Sequence, residues 1–284
     1  MTKMHIALGF DDGWWAPAYA TMRSVCIATS RHRDVVFHLM HSGLSSEHRK
    51  ALDAITAEYG AELVDHDLDK TDILRERIQD FPKFTGKRLN PIVYSRLFLH
   101  LLIPGERVIY LDSDLLIRVP IERLYDMDLE GKTLAAALCP HRYGFMTYSD
   151  RKPKPYYETH LPYFNAGVML VDLRKFAEFD FSRTIDEVVG RDRMGELYFD
   201  QDLLNIAARG KWKELSYEWN LQNPVPAHES TDPLIVHYTG ANKPWLMFAT
   251  SAYKRDYRHV MTNAYYYAFM RERLKKRLLP KFLR

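Results

Sequence analysis

The run Arg107-Val108-Ile109-Tyr110-Leu111-Asp112-Ser113-Asp114 decides how this chain is read. A short apolar stretch that stops at turn residues reads as a buried strand. Residues two apart on extended backbone share a face, so the carboxylates of Asp112 and Asp114 can reach one hard cation. Asp-x-Asp alone is weak evidence, because aspartate commonly ends strands as a turn residue. The rest of the chain must say what such a cation would hold.

Upstream, His5 to Phe10 reads as a buried strand. A helix follows from about Ala16 to Thr29, with Pro17 in its first turn. Val35 to Met40 is a second strand. Ser45 or Ser46 can cap a helix running to Tyr59 and stopping at Gly60, and Ala61 to Val64 is a third strand. This is βαβαβ, the opening of a parallel α/β sheet. Asn90-Pro91 begins a helix carrying Leu97, Leu99, Leu101 and Leu102 toward Pro104-Gly105, just before the Asp-x-Asp strand. Downstream strands are expected at Leu115 to Val119, Thr133 to Leu138, Phe164 to Val171 and Leu234 to Tyr238, with a helix from Asp202 to Ala208. The stretch from His141 to Pro162 has three prolines, four tyrosines and no period, which marks a long functional loop.

Composition sets the class. With 284 residues, 46% of them apolar, the chain can bury a large core without disulfides or a structural metal. Two cysteines, Cys26 and Cys139, are no disulfide framework, and Asp11 and Asp12 interrupt any N-terminal apolar region, so a reducing cytosol is expected. No run approaches the length of uncharged apolar sequence that spans a bilayer. Residues 254–284 carry ten Lys/Arg against two acids, leaving thirty bases against thirty-five acids elsewhere. An acidic body of about residues 1–250 with a basic extension over 251–284 suggests a catalytic domain tethered to something anionic. Bases interleaved with Tyr265, Tyr266, Tyr267, Phe269, Leu274, Leu278 and Leu279 suit a helix lying on an anionic membrane, with docking on its own domain as the alternative. Nucleic acid is not expected, since no recognition motif accompanies the bases.

A second element repeats the strand-end design. Leu234-Ile235-Val236 runs into His237-Tyr238-Thr239-Gly240-Ala241-Asn242-Lys243-Pro244-Trp245. Two strand ends then supply two carboxylates and one imidazole, leaving about three positions of an octahedral ion open. The mixed oxygen and nitrogen set favours Mn²⁺ over Mg²⁺, though Mg²⁺ remains possible. Lys243 is a point charge suited to a phosphate, and Gly240 lets backbone N–H groups approach one.

Six ordered motifs resemble the retaining glycosyltransferases of family 8, which include lipopolysaccharide galactosyl- and glucosyltransferases and glycogenin. They are Leu8-Gly9-Phe10-Asp11-Asp12, Tyr94-Ser95-Arg96, the Asp-x-Asp strand, Asn165-Ala166-Gly167-Val168, Asp200-Gln201-Asp202 and the His237 to Trp245 ending. The likeness covers about residues 4–245. It implies a single GT-A type, Rossmann-like α/β domain with a mixed, mostly parallel central sheet. It implies that Asp112, Asp114 and His237 bind Mn²⁺ bridging the phosphates of UDP-glucose or UDP-galactose, with Ser113 between them. Gly9, Phe10, Asp11 and Gly13 would lie at the nucleotide, and Gly240 and Lys243 at the diphosphate. Arg96, Asn165, Ala166, Asp200 and Gln201 would surround the donor sugar, Asp200 and Gln201 being the catalytic pair. Many relatives carry Asn-Tyr where this chain has Gly13-Trp14, so one hydrogen bond to the nucleoside is lost or replaced.

The resemblance and the basic extension together imply a glycan acceptor, most simply the lipopolysaccharide or lipooligosaccharide core, and a cytoplasmic protein peripheral on the inner face of the membrane. Segment 69–89 and the His141 to Pro162 loop would close over donor and acceptor. Two other readings compete: a non-catalytic module binding a nucleotide sugar or glycan at a membrane, and a haloacid-dehalogenase-like phosphatase. The phosphatase motif usually lies near the N-terminus with Thr or Val four residues after its first Asp, whereas Leu116 stands there in this chain. The remaining histidines are expected to be structural or solvated.

Overall fold

The computed structural model describes residues 3–71, 91–140, 161–190 and 199–282. The loop from His141 to Pro162 and segment 69–89, expected to close over the substrates, lie outside the described residues apart from 69–71 and 161–162.

Strands β1 (Met4–Gly9), β2 (Val35–His41) and β3 (Glu62–Asp67) alternate with helices α1 (Trp15–Ala28) and α2 (Ser46–Tyr59). All three strands are parallel, as the βαβαβ reading requires. Ser45 caps α2 by accepting the His48 N–H, and Gly60 ends it at φ 73°, a left-handed conformation that favours glycine. β3 runs on to Asp67, further than its apolar residues indicate. It is the sheet's edge, so it pairs on one side only and keeps mostly polar, part-exposed side chains.

The main sheet has seven strands in the order β3-β2-β1-β4-β7-β6-β8, adding β4 (Arg107–Leu111), β6 (Leu134–Leu138), β7 (Phe164–Asp172) and β8 (Trp212–Leu215). β7 alone runs against its neighbours, so the sheet is mixed and mostly parallel. That reversal places the start of β7 beside the end of β4, with Val168 opposite Leu111. A second sheet orders β5 (Leu115–Ile117), β10 (Ile235–His237) and β9 (Leu221–Gln222). Its antiparallel β5–β10 pair sets His237 opposite Leu115, one residue beyond Asp114.

Two local expectations change. The helix expected after Asn90-Pro91 is broken into Pro91–Ser95, a tighter 3₁₀ turn over Arg96–Phe98, and Leu99–Leu102. The tightened turn falls at Arg96, the residue that reaches the acidic strand end. The helix expected from Asp202 spans Phe199–Ala207 instead, so Asp200 and Gln201 lie in its first turn, where the helix dipole favours a carboxylate.

Helix α1 is buried on two sides. Ala18, Tyr19, Met22 and Val25 join the core under β1 and β2, while Trp15, Ala16 and Ala20 meet the helices Lys254–Met261 and Asn263–Phe282. The small Ala16 and Ala20 let those helices approach. Phe269 is 2% exposed, and Tyr265 sits edge-on to Trp15 and Tyr19 at ring distances of 5.5 and 4.5 Å. Glu272 accepts from Trp15 Nε1 at 3.1 Å and lies 3.3 Å from His48 Nε2. The aromatic side of the terminal helix therefore packs on the body through residue 272. No helix among the described residues is long and apolar enough to cross a membrane.

Across β1, β2 and β3, three imidazoles form a hydrogen-bonded ladder. His5 Nδ1 lies 2.9 Å from His38 Nε2, and His38 Nδ1 lies 2.9 Å from His66 Nε2. Burial, with the neighbouring rings adding to it, pushes the His38 pKa down to about 3. The fold keeps His38 neutral while the unfolded chain takes up a proton below the ordinary value of 6.5, so stability falls as pH drops from 6.5 toward 3. The expected slope is about 1.4 kcal/mol per pH unit per proton. Denaturant unfolding at a series of pH values should show it, and His38→Gln should flatten it.

Candidate active site

Asp112 and Asp114 stand at the mouth of the main sheet, as the strand reading expected. One ligand atom from each, together with one from His237, lies within 4.8 Å of the others. His237 Nε2 is 3.5 Å from Asp112 Oδ2 and 3.3 Å from Asp114 Oδ1. No other group of three such side chains occurs among the described residues. Histidine Nδ1 lies 2.9 Å from Asn220 Oδ1, an acceptor, so Nδ1 donates there and Nε2 is the nitrogen that faces the carboxylates. Two oxygens and one imidazole nitrogen are a donor set that fits a divalent cation such as Mn²⁺.

Backbone placement is as tight as the side chains. Asp112 N–H donates to Gly167 O at 2.8 Å, and Tyr238 N–H donates to Asp114 O at 3.1 Å, tying β4 to β7 and β10. A Cβ on Gly167 would collide with His237 Cε1 and stand 2.6 Å from Asp112 Oδ2. Glycine is the residue that fits there.

Two cations offset the carboxylates. Arg96 pairs with Asp112 at 3.2 Å and Asp200 at 2.6 Å, donates to Ala166 O at 3.0 Å, and lies over the Tyr110 ring at 4.6 Å. Its contact with Asp200 is a close ion pair whose angle is poor for a hydrogen bond. Burial opposes the Arg96 charge, but the surrounding carboxylates hold its pKa above the ordinary value. Burial pushes the Asp200 carboxyl up to about 6, with Arg96 pulling it down and Asp112 pushing it up. Burial also works against the Asp114 charge, yet His237 and Lys243 more than offset it and hold that carboxyl down at about 2. Lys243 Nζ lies 2.5 Å from Asp114 Oδ2 and donates to Tyr238 O at 2.6 Å.

Asn165, Ala166 and Gln201, expected at the donor sugar, form one network. Gln201 Oε1 accepts from Asn165 Nδ2 at 3.2 Å and Ala166 N–H at 3.0 Å, and Gln201 Nε2 donates to the Tyr163 hydroxyl at 3.1 Å. Tyr163 donates to Asp202 at 2.7 Å, which gives Asp202 a structural contact. Asn165 Oδ1 accepts from Gly167 N–H at 3.0 Å and Asn220 Nδ2 at 2.9 Å. A continuous chain of amides thus runs from His237 through Asn220 and Asn165 to Gln201. Asn220 was not singled out from the sequence, although an amide between Trp219 and Leu221 in a buried stretch needs partners.

Among the residues expected at the nucleotide, β1 delivers Gly9 beside β4. A Cβ there would meet Ser95 Oγ at 3.3 Å and Tyr110 Oη at 3.4 Å, and Tyr110 in turn donates to Asp112 at 3.2 Å. Phe10 is 2% exposed, and Asp11 Oδ1 accepts the Gly13 N–H at 2.8 Å. Asp12 turns away, accepting from Ser45 N–H at 2.9 Å with His48 Nδ1 at 2.7 Å. Trp14, part of the departure from Asn-Tyr, has its ring 5.5 Å from Lys243 Nζ and edge-on to Trp245 at 5.5 Å. It supports the Lys243 ammonium. Gly240 holds φ 71°, so the turn between His237 and Lys243 itself favours glycine. Ser113 is buried between the two aspartates.

A mixed, mostly parallel sheet with an acidic strand end facing a histidine of a second sheet is the architecture of a GT-A nucleotide-sugar transferase. Residues 5–249 match the model of glycosyl transferase family 8, and the chain belongs to that family. The chain is 26% identical over 258 residues to glycosyltransferase GlyF of Streptococcus pneumoniae, covering 88% of this chain and 59% of GlyF. It is 24% identical over 261 residues to the lipopolysaccharide 1,3-galactosyltransferase of Salmonella typhimurium, covering 86% and 73% of the two chains. Among solved structures, galactosyltransferase LgtC in complex with donor and acceptor sugar analogues superposes with a TM-score of 0.70 at 26% identity, covering 91% of this chain and 95% of LgtC.

Gly167→Ala should leave secondary structure intact and abolish high-affinity Mn²⁺ binding, read by circular dichroism and electron paramagnetic resonance. Asn220→Ala should weaken Mn²⁺ binding about 10–100-fold, the usual cost of losing a group that orients a ligand histidine.

Proposed function

We propose that this family 8 glycosyltransferase moves a glucosyl or galactosyl group from a UDP-sugar to a hydroxyl of a glycan acceptor with retention of configuration. The convergence of Asp112, Asp114 and His237 beside Lys243 at one sheet end carries this reading. A bound Mn²⁺ would neutralise charge growing on the diphosphate as it leaves. Lys243, now paired with Asp114, is within reach of the same charge and would exchange its carboxylate for a phosphate. Arg96 and Asp200 keep the donor-sugar side charge-balanced, and Asn165 and Ala166 line it.

In the reaction the bond from the anomeric carbon to the UDP oxygen breaks, a bond to the acceptor oxygen forms, and the acceptor proton passes to the departing phosphate. Gln201 supports same-face attack over double displacement. Its carbonyl oxygen already accepts two hydrogen bonds, and an amide is a poor nucleophile. Asp200, ion-paired to Arg96 and buried, is not a free carboxylate placed to attack. Gln201 instead presents a fixed dipole to positive charge on the sugar. The likeness to a lipopolysaccharide galactosyltransferase and the basic extension support a lipid-linked oligosaccharide acceptor, such as a lipopolysaccharide core, at the inner face of a membrane.

Mn²⁺-dependent hydrolysis across a panel of UDP-sugars tests the reading. Turnover should be confined to UDP-glucose or UDP-galactose, and Asp114→Asn should lower it about 100-fold or more, as expected when a metal-assisted step loses a ligand. Lys243→Ala should weaken UDP binding while strengthening Mn²⁺ binding in the absence of nucleotide, because it removes the cation paired with Asp114. Binding of UDP-sugars without turnover under any metal would overturn the transferase reading.

A further inference from the structure

Helix Asn263–Phe282 lies beyond the family match, yet it passes the turn expected at the nucleotide. A Cβ on Gly13 would stand 3.0 Å from Asp11 Oδ1 and 3.8 Å from Lys276 Nζ. The Lys276 ammonium therefore stands where a side chain at position 13 would grow. Many relatives carry Asn there, and its amide would extend toward the place that Lys276 Nζ reaches. Glycine leaves that space open in this chain, and Trp14 is turned to Lys243, with its ring 5.5 Å from Nζ. A cation from the far end of the chain thus replaces the donor that the turn lacks.

The helix is tied to the same turn. Glu272, four residues and so about one turn before Lys276, accepts from Trp15 Nε1 at 3.1 Å and lies 3.3 Å from His48 Nε2. His48 Nδ1 lies 2.7 Å from Asp12 Oδ1, and the His48 ring stacks on Trp15 at 4.8 Å. Phe269 packs edge-on to Trp15 and Trp245, which anchors the helix from its other side. The two carboxylates of the turn are occupied: Asp11 takes the Gly13 N–H, and Asp12 takes the Ser45 N–H and His48. Lys276 Nζ, by contrast, makes no hydrogen bond or ion pair with any described residue. A cation carried to this turn by an anchored helix and left unpaired there can take its partner from a bound ligand.

We propose that Lys276 is a nucleoside-binding residue of the donor site, its ammonium donating to an oxygen of uridine in place of the hydrogen bond that Gly13-Trp14 does not offer. An ammonium has three donors and no acceptor, which suits a nucleoside that presents carbonyl and hydroxyl oxygens. The inference rests on the proposed reading of a UDP-sugar as donor. It extends the donor site past the end of the family match and gives one base of the terminal helix a partner other than a membrane.

The test titrates the full chain with UDP in saturating Mn²⁺, and with uridine, which carries no phosphate charge. Lys276→Met should weaken both about five- to tenfold, the order expected for one charge-assisted hydrogen bond near the surface. Lys276→Arg should keep most of the affinity, and adding Gly13→Asn to Lys276→Met should restore part of it. Lys276 is exposed, so thermal melting of the variants should match wild type and the losses are read as binding. Unchanged UDP and uridine binding in Lys276→Met would overturn this proposal and leave the transferase reading standing. So would weaker UDP binding with uridine unaffected, which would put the ammonium on the diphosphate. Failure of the wild-type protein to bind UDP at all would overturn both.

Discussion

Two carboxylates and an imidazole gathered at a buried strand end are the constraint on which the rest of this structure depends. Asp112 and Asp114 repel one another, and burial makes each charge costlier. The molecule answers with cations on opposite sides: Arg96 between Asp112 and Asp200, and Lys243 on Asp114. Those cations need support of their own. Tyr110 lies against the Arg96 guanidinium, and Trp14 and Trp245 lie near the Lys243 ammonium. These cations offset the carboxylates, so a metal ion or a diphosphate bound here would exchange partners instead of creating an uncompensated buried ion.

The topology exists in the form that delivers these groups to one place. Strands β1 and β4 end side by side with Gly9 and Asp112. The reversed β7 brings Asn165, Ala166 and Gly167 to the same edge, and the antiparallel β5–β10 pair brings His237. Helix Phe199–Ala207 presents Asp200 and Gln201 from its first turn. The family match ends at residue 249, yet the two helices that follow are part of the same core. Tyr257 and Phe269 pack on Trp245, and Trp245 in turn packs on Trp14.

Much of this was legible residue by residue. Apolar runs bounded by turn residues marked β1, β2, β4 and β7, because central strands bury both faces. The edge strand β3 was underestimated because half its surface is solvated. The break at Arg96 was invisible, since nothing in Tyr94-Ser95-Arg96-Leu97 departs from helical composition. Asn220 was missed because its role depends on a histidine seventeen residues away. The terminal helix read as amphipathic, and whether its aromatic side meets lipid or protein is decided by Trp15 and Tyr19, which a periodicity cannot show.

What the sequence determined by itself is the chemistry: which residue types end which strands, and hence that two carboxylates, a histidine and a lysine are on hand for the metal and diphosphate chemistry proposed above. Spacing along a strand follows from backbone geometry, so Asp112 and Asp114 share a face wherever the strand lies. Only the tertiary structure decided which partners neutralise them, that Gly167 leaves room for the imidazole, that Asn220 orients its ring and that Trp14 supports Lys243. Those are contacts between residues distant in the chain, and their existence depends on strand order and direction, which local sequence patterns leave open.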